Sequence, residues 1–209
     1  MSGDAPPIDH LAYAAPDLEA AVSDVERRLG VRAAYGGRHK GLGTHNALLS
    51  LGGSYLEIIA PDPQQPAPER PRPFGIDGLT GPRLAGWAVP APDIGERVRR
   101  ARESGYEPGE VTEFGRERPD GRRLTWRLTF PPSGGDGLVP FLIDWGDTPH
   151  PSGDAPGGCS LVSLRAEHPE PEGVSAMLRA LGVELALARG PAAALIATLD
   201  TPNGRVELR

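Results

Sequence analysis

His10 and Glu57 are the two residues whose types and settings point most directly to chemistry. Each interrupts an apolar, alternating run, IDHLAYAA around the first and SYLEIIA around the second. Successive side chains of a strand point to opposite faces, so a polar residue in such a run faces either solvent or an enclosed pocket. A neutral imidazole and a carboxylate are good ligands for Zn, Ni, Mn or Fe. Without a metal, the same two groups make a hydrogen-bonded pair on the wall of a polar cavity. Which outcome holds depends on what else the fold brings to them.

The segment GGRHKGLGTHN supplies the next candidates. Its glycines permit close backbone approach and positive φ, which places His39, His45 and Asn46 to bind a polar substrate at a cavity mouth. His39 taken alone reads more simply as an exposed histidine on a flexible loop, and Asn46 is the better binder. In GRERPDGRRLTWRL, Arg116 and Arg118 precede a Pro-Asp-Gly turn at 119–121. Arginines suit a carboxylate or phosphate group, although a run of charge ordinarily marks a solvated face. Trp126, in the strand that follows, is a candidate substrate contact. The large area that tryptophan buries nevertheless makes core the first expectation for Trp87, Trp126 and Trp145. Cys159 has no His or basic partner near it in sequence and is not a candidate nucleophile. No Gly-rich phosphate loop, Gly-x-Ser-x-Gly elbow or dinucleotide fingerprint occurs.

The elements that must position these residues follow from periodicity. After Asp17, a good N-cap, Leu18, Ala21, Val22, Val25 and Leu29 recur at helical spacing, and Gly30 ends the helix. A helix needs an apolar face beneath it. Leu11 and Tyr13 of the first strand, with Leu56 and Ile58 of the strand around Glu57, are assigned to that face. His10, Ala12, Ala14, Tyr55, Glu57 and Ile59 then point inward, toward whatever the sheet curls around. Gly52-Gly53 marks a tight hairpin. A proline-rich linker at 62–84 separates this first unit, 1–61, from a second at 85–150, and it is long enough to lie across the surface or over a pocket mouth. The second unit has Asp93 as N-cap and a stripe of Ile94, Val98 and Ala101 closed by Gly105. A third unit at 158–209 has a helix at 172–181 with Val174, Met177, Leu178 and Leu181 on one face, and an Asn203-Gly204 hairpin.

The chain has 209 residues and a net charge of −6, with its charges of both signs interspersed. No basic stripe suggests nucleic acid. The first ten residues carry neither a basic nor an apolar signal region, and no apolar run approaches the roughly 20 residues of a membrane span. The single cysteine fits a cytoplasmic protein without disulfides. A small molecule is the partner class that remains.

The runs DHLAYAAPDLEAAV, GGRHKGLGTHNALLSLGGSYLEIIAPDP, RPDGRRLTW and VPFLIDWGDTPHP resemble the vicinal oxygen chelate superfamily, and within it the glyoxalase-like domain proteins. The resemblance implies an α+β fold of repeated βαβββ modules forming an incomplete barrel. In metal-dependent members, a His from the first strand and a Glu from the fourth, with the same pair from a partner unit, hold a divalent metal that binds two oxygens of the substrate. His10 and Glu57 match that pair, and Glu57 then also carries the catalytic role. The second unit departs from the pattern. Gly86 stands where its His belongs, and Asp144, with Leu142 as the apolar alternative, is the ligand its last strand offers. The third unit has Val162 or Ser163 at the His position and Glu207 parallel to Glu57. Because two ligands bind weakly, Asp144, Glu207 or His150 is needed to complete a metal site, and a metal-free pocket is the competing outcome. The implied function is therefore an isomerase, lyase or dioxygenase acting on vicinal oxygens. The alternative is a metal-free binding protein like the bleomycin resistance members. Three units leave one over, with an apolar sheet face to cover, and pairing of third units in a homodimer is the expected solution.

Overall fold

The computed structural model describes residues 7–117, 121–131 and 135–209. In chain order these form β1 (His10–Ala14), α1 (Leu18–Leu29), β2 (Ala34–His39), β3 (Thr44–Ser50) and β4 (Tyr55–Pro61). Next come β5 (Arg83–Pro90), α2 (Ile94–Glu103), β6 (Val111–Glu117), β7 (Arg123–Thr129) and β8 (Phe141–Asp144). The last run is β9 (Ser160–His168), α3 (Pro171–Ala180), β10 (Ala186–Arg189), β11 (Ala194–Thr201) and β12 (Gly204–Leu208). Arg118 and most of the 119–121 turn lie outside the described residues, as does part of the loop before β8.

The first eight strands close into a barrel in the order β1-β4-β3-β2-β6-β7-β8-β5. This corrects the expectation of an incomplete barrel. Both seams are hydrogen-bonded: β1 runs antiparallel to β5, and β2 meets β6 through Arg38 opposite Glu117 and His39 opposite Arg116. Closure removes the strand edges that an open sheet exposes.

Helix α1 begins with the Asp17 side chain accepting from the Ala20 amide at 2.8 Å and ends at Gly30, whose φ of 78° is left-handed. Its stripe packs on Leu11, Tyr13, Leu56 and Ile58 in one continuous core. That packing fixes the phase of β1 and β4, and so turns His10 and Glu57 to the inside. Burial of such apolar area, at about 25 cal/mol per Å², holds the strands in this register.

The last four strands form a separate sheet, β10-β9-β11-β12. Its apolar face, with Leu164, Ala166, Leu195, Ala197 and Leu199, joins the same core as α1 and α2. The opposite face carries Arg165, Glu167, Glu207 and Arg209 in ion pairs. The sheet is tied to the barrel by the Leu84 amide donating to the Arg209 carbonyl at 2.9 Å, and by Arg28 donating to the Glu207 carbonyl at 2.7 Å. The apolar face of the third unit is thus covered within one chain.

Residues 62–82 cross the barrel end. Ile76 there is buried among Ala14, Ile59 and Ala85, which plugs that end.

Candidate functional site

The barrel encloses a small cavity of about 50 Å³. Its walls differ in kind. Strands β1 to β4 and the end of β6 contribute His10, His39, Asn46, Glu57 and Arg116. Strands β7 and β8 contribute Trp126, Leu128, Phe141 and Ile143, and Phe74, Phe114, Phe130 and Trp145 complete the aromatic side.

His10 and Glu57 lie on adjacent parallel strands, with Ala12 opposite Glu57 in the register. His10 Nε2 is 3.7 Å from Glu57 Oε2, and His39 Nε2 is 3.7 Å from Glu57 Oε1. Neither is a hydrogen bond at that distance. The bond that holds Glu57 comes from Asn46, whose Nδ2 donates to Oε1 at 2.5 Å. Arg116 Nη1 donates to Asn46 Oδ1 at 2.8 Å. A guanidinium has donors only, so Arg116 fixes the amide the right way round for Glu57. The same Nδ2 lies 3.3 Å from His39 Nε2, and His39 Nδ1 lies 3.0 Å from Thr44 Oγ1. His39 therefore accepts at Nε2, donates at Nδ1, and is neutral. Burial pushes its pKa down to about 4 against the pull of the Glu57 carboxylate, with the Arg116 charge adding to the fall.

His10 is held by a second, separate group. Asp9 Oδ1 accepts from His10 Nδ1 at 2.7 Å, which leaves Nε2 facing the cavity. Asp9 Oδ2 accepts from Trp145 Nε1 at 3.0 Å and lies 3.3 Å from His150 Nε2. Burial alone would raise the Asp9 pKa, but the hydrogen bonds from His10 and His150 outweigh it and hold the carboxyl well below the usual range. Tyr55 stacks on the His10 ring, centroids 4.7 Å apart. Burial, with Asp9 and Glu57 nearby, pushes the Tyr55 hydroxyl well above its ordinary value, so it stays neutral.

A model of the family described as glyoxalase-like domain matches residues 8–182. The chain belongs to the glyoxalase-like domain family. It thereby belongs to the vicinal oxygen chelate superfamily. No curated protein matches this glyoxalase-like chain. Among solved structures, a hypothetical protein from Staphylococcus aureus is similar at 13% identity and a TM-score of 0.60, over 96% of this chain and 84% of that one. Methylmalonyl-CoA epimerase in complex with methylmalonyl-CoA and NH4+ is similar at 20% identity and a TM-score of 0.48, over 69% and 98%. The epimerase from Mycobacterium tuberculosis gives 19% and 0.44, over 70% and 93%.

The donors of this glyoxalase-like barrel do not fit a metal. Counting from the Ala-Pro-Asp that both halves share, Gly86 stands in place of His10 and Ala88 in place of Ala12. Ala88 pairs with Phe141 just as Ala12 pairs with Glu57. The second half therefore offers no side chain and a phenyl ring where a chelate needs an imidazole and a carboxylate. The Phe74 ring lies over Gly86, with Cε1 at 2.9 Å from where a Cβ would stand. Among the described residues, no group of three or more His, Cys, Asp or Glu is placed to hold a metal ion.

Three expected ligands are placed elsewhere. Asp144 points out of the barrel, because Phe141, Ile143 and Trp145 take the inner phase of this run; it pairs with Arg127 and accepts from the Gly146 amide at 2.9 Å. Glu207 is exposed on β12, 3.3 Å from Arg165. His150 is engaged with Asp9 and, through Nδ1, with Ser152 Oγ at 2.7 Å. His45 also faces away, since alternation along β3 turns Asn46 and Leu48 inward; its ring meets Tyr35. His39 and Arg116 depart from expectation in the other direction, as each is buried in the cavity wall rather than solvated. Of the tryptophans, Trp87 is core, its Nε1 donating to the Leu138 carbonyl at 2.8 Å, while Trp126 and Trp145 line the cavity.

Asp9 and Phe74 were not legible as site residues. The Asp-His pair at the start of β1 was the available signal for Asp9. For Arg116 it was Gly36-Gly37. A Cβ on Gly36 would stand 2.1 Å from Arg116 Nη1 and 2.3 Å from Asn46 Oδ1, and β2 bulges there, with the register shifting between Tyr35 and Gly37.

Proposed function

We propose that this chain binds a planar, largely apolar small molecule inside the barrel without a metal, and that Glu57 accepts a hydrogen bond from the ligand's polar end. The observation that carries this is the contrast between the two walls, with Glu57 oriented by Asn46 facing Phe141 and Phe74 where a chelate would need donors. An apolar pocket with a few fixed polar groups is the usual form of a small-molecule site. The three successive strand-helix-three-strand runs are read, on the same terms, as repeated modules, the first two enclosing the site.

The test compares 2-naphthol with 2-methoxynaphthalene, titrated against the fluorescence of the tryptophans. The pair differs in the O–H donor that Glu57 would take. The naphthol is expected to bind about tenfold more tightly, as for a hydrogen bond to a charged group, and Glu57→Gln should shrink that gap. Added Zn or Ni should change neither titration. Equal affinities for the two, or binding that needs metal, would overturn this reading.

A catalytic version rests on a separate observation. Asp9 orients His10, and the 3.7 Å between His10 Nε2 and Glu57 Oε2 leaves a substrate atom room to face both. In this version Glu57 takes a proton from the hydroxyl-bearing carbon of a 2-hydroxyketone and returns it to the adjoining carbon, while His10 Nε2 accepts the hydroxyl proton and passes it to the former carbonyl oxygen, which is isomerase chemistry on a substrate with vicinal oxygens. Loss of deuterium from an α-deuterated 2-hydroxyketone, catalysed by the wild type and not by Glu57→Gln, is the expected result.

A further inference from the structure

Phe74 sits at a boundary. Its ring lines the inner cavity and also two outer recesses, one at the mouth beside Arg70 and Phe114 and one beside Gly86 and Asp136. Its centroid is 5.8 Å from that of Phe141 and 6.4 Å from that of Phe130, so these rings separate the three spaces. Removing the Phe74 ring would join them.

The backbone shows that this placement is imposed. Phe74 has φ 63° and ψ 14°, a left-handed conformation that is unfavourable for a residue with a Cβ. Such a conformation persists where surrounding contacts over-determine it, and the flanks of Phe74 are anchored on both sides. Before it, Arg72 Nε donates to the Gly43 carbonyl at 2.8 Å and Nη1 to Asp77 Oδ1 at 2.5 Å. After it, Ile76 is wedged into the barrel end, 2% exposed. The ring also needs Gly86, because a Cβ there would meet it at 2.9 Å. Phe74 in the proline-rich crossing and Gly86 in β5 are thus matched to each other.

We propose that Phe74 is the specificity-determining residue of this site, a fixed gate that limits ligands to those short enough to lie wholly within the barrel. This rests on the binding reading above. It adds that ligand length is set at the Phe74–Gly86 contact, while the polar end is set at Glu57.

The experiment titrates the intact chain with 1-anilinonaphthalene-8-sulfonate and with its covalent dimer, bis-ANS, following energy transfer from tryptophan. The wild type should take up one single-length probe per chain and bind the dimer weakly. Phe74→Ala should raise the dimer-to-single affinity ratio about tenfold, the scale of a pocket-size change. Gly86→Val, which pushes on the ring instead of removing it, should weaken the single probe and gain nothing for the dimer. If Phe74→Ala loses its circular-dichroism signature, Phe74→Leu should show a smaller shift in the same direction. A dimer-to-single affinity ratio unchanged in the folded Phe74 variant overturns the gate alone. A wild type that binds neither probe overturns the binding reading and the gate with it.

Discussion

Asn46 Nδ2 donates to Glu57 Oε1 at 2.5 Å, and that bond crosses between neighbouring strands rather than between the two halves of the barrel. It makes the carboxylate a fixed acceptor with Oε2 turned toward His10. Asn46→Leu keeps the volume roughly constant but takes from Glu57 and His39 the amide donor they share. Buried groups stranded in this way cost about 1–3 kcal/mol apiece, and partial relaxation makes about 3 kcal/mol a fair expectation for the sum. Urea unfolding of the variant would check it. A loss under about 0.5 kcal/mol, the range of surface substitutions, would show that the network does not hold the site.

The pH dependence of stability should carry the mark of His39. Its folded-state pKa of about 4 lies below the ordinary 6.5, so the unfolded chain takes up a proton before the folded one does. The contribution is complete above about pH 6.5 and is lost as the pH falls toward 4, on the order of 3 kcal/mol at about 1.4 per unit. Asp9 acts in the same direction in a lower window. Its folded-state value is depressed, so its contribution is lost only below the ordinary carboxylate range. His39→Gln should flatten the upper window and leave the lower one. Urea midpoints of both proteins at pH 7, 5 and 4, and again below the ordinary carboxylate range, would separate the two, and identical slopes between pH 6.5 and 4 would refute the assignment.

How much of this was readable in the chain depended on whether a position had a phase to reveal. His10 and Glu57 could be turned inward because α1 supplies a clear apolar stripe, and Leu11, Tyr13, Leu56 and Ile58 had to lie under it. Phe141–Asp144 gave no such handle. Residues of both faces there are apolar, so the run itself does not reveal that Phe141 and Ile143 hold the inner phase and Asp144 the outer one. Asp9 precedes the strand proper, where alternation says nothing about direction. Phe74 lies in a proline-rich stretch without periodicity, and its role comes from a contact with Gly86 that only the closed barrel creates. Arg116 looked like part of a solvated run because charge in sequence does not reveal a glycine bulge on a neighbouring strand.

That bulge makes a sharp mutational contrast. Gly36 does not have a left-handed φ, so alanine there is conformationally permitted and its effect is steric. The added Cβ would meet Arg116 Nη1 at 2.1 Å and Asn46 Oδ1 at 2.3 Å, which forces the pair apart or out of the cavity. Gly53, also without a left-handed φ, has nothing within 4 Å of such a Cβ. Gly36→Ala should lose about 2–3 kcal/mol, as for overpacking against a buried polar group, together with naphthol binding. Gly53→Ala should stay within about 0.5 kcal/mol of wild type. Equal melting temperatures for the two variants would contradict the threading of Arg116 past the bulge.

The last sheet offers a test of what it does for the barrel. Leu195, Ala197, Leu199 and Leu208 share one core with the helices of the first two units, so removing residues 159–209 strips apolar cover from α1 and α2. Two backbone groups and one guanidinium would lose a hydrogen bond as well. The Leu84 amide donates to the Arg209 carbonyl, Asn203 Nδ2 caps the end of α1 on the Arg27 carbonyl at 3.0 Å, and Arg97 Nη2 reaches the Leu181 carbonyl at 3.1 Å. Exposed apolar patches of this kind drive association. The full chain, whose four-stranded sheet has a charged outer face, is expected to run as a monomer in size-exclusion chromatography with light scattering. A chain ending at Gly158 is expected to self-associate or to aggregate. A truncated chain that stays monomeric, with an unchanged melting temperature, would show that the barrel needs no cover from this sheet. A full-length dimer that persists when Arg165 and Glu207 are reversed in charge would place an interface elsewhere on the molecule.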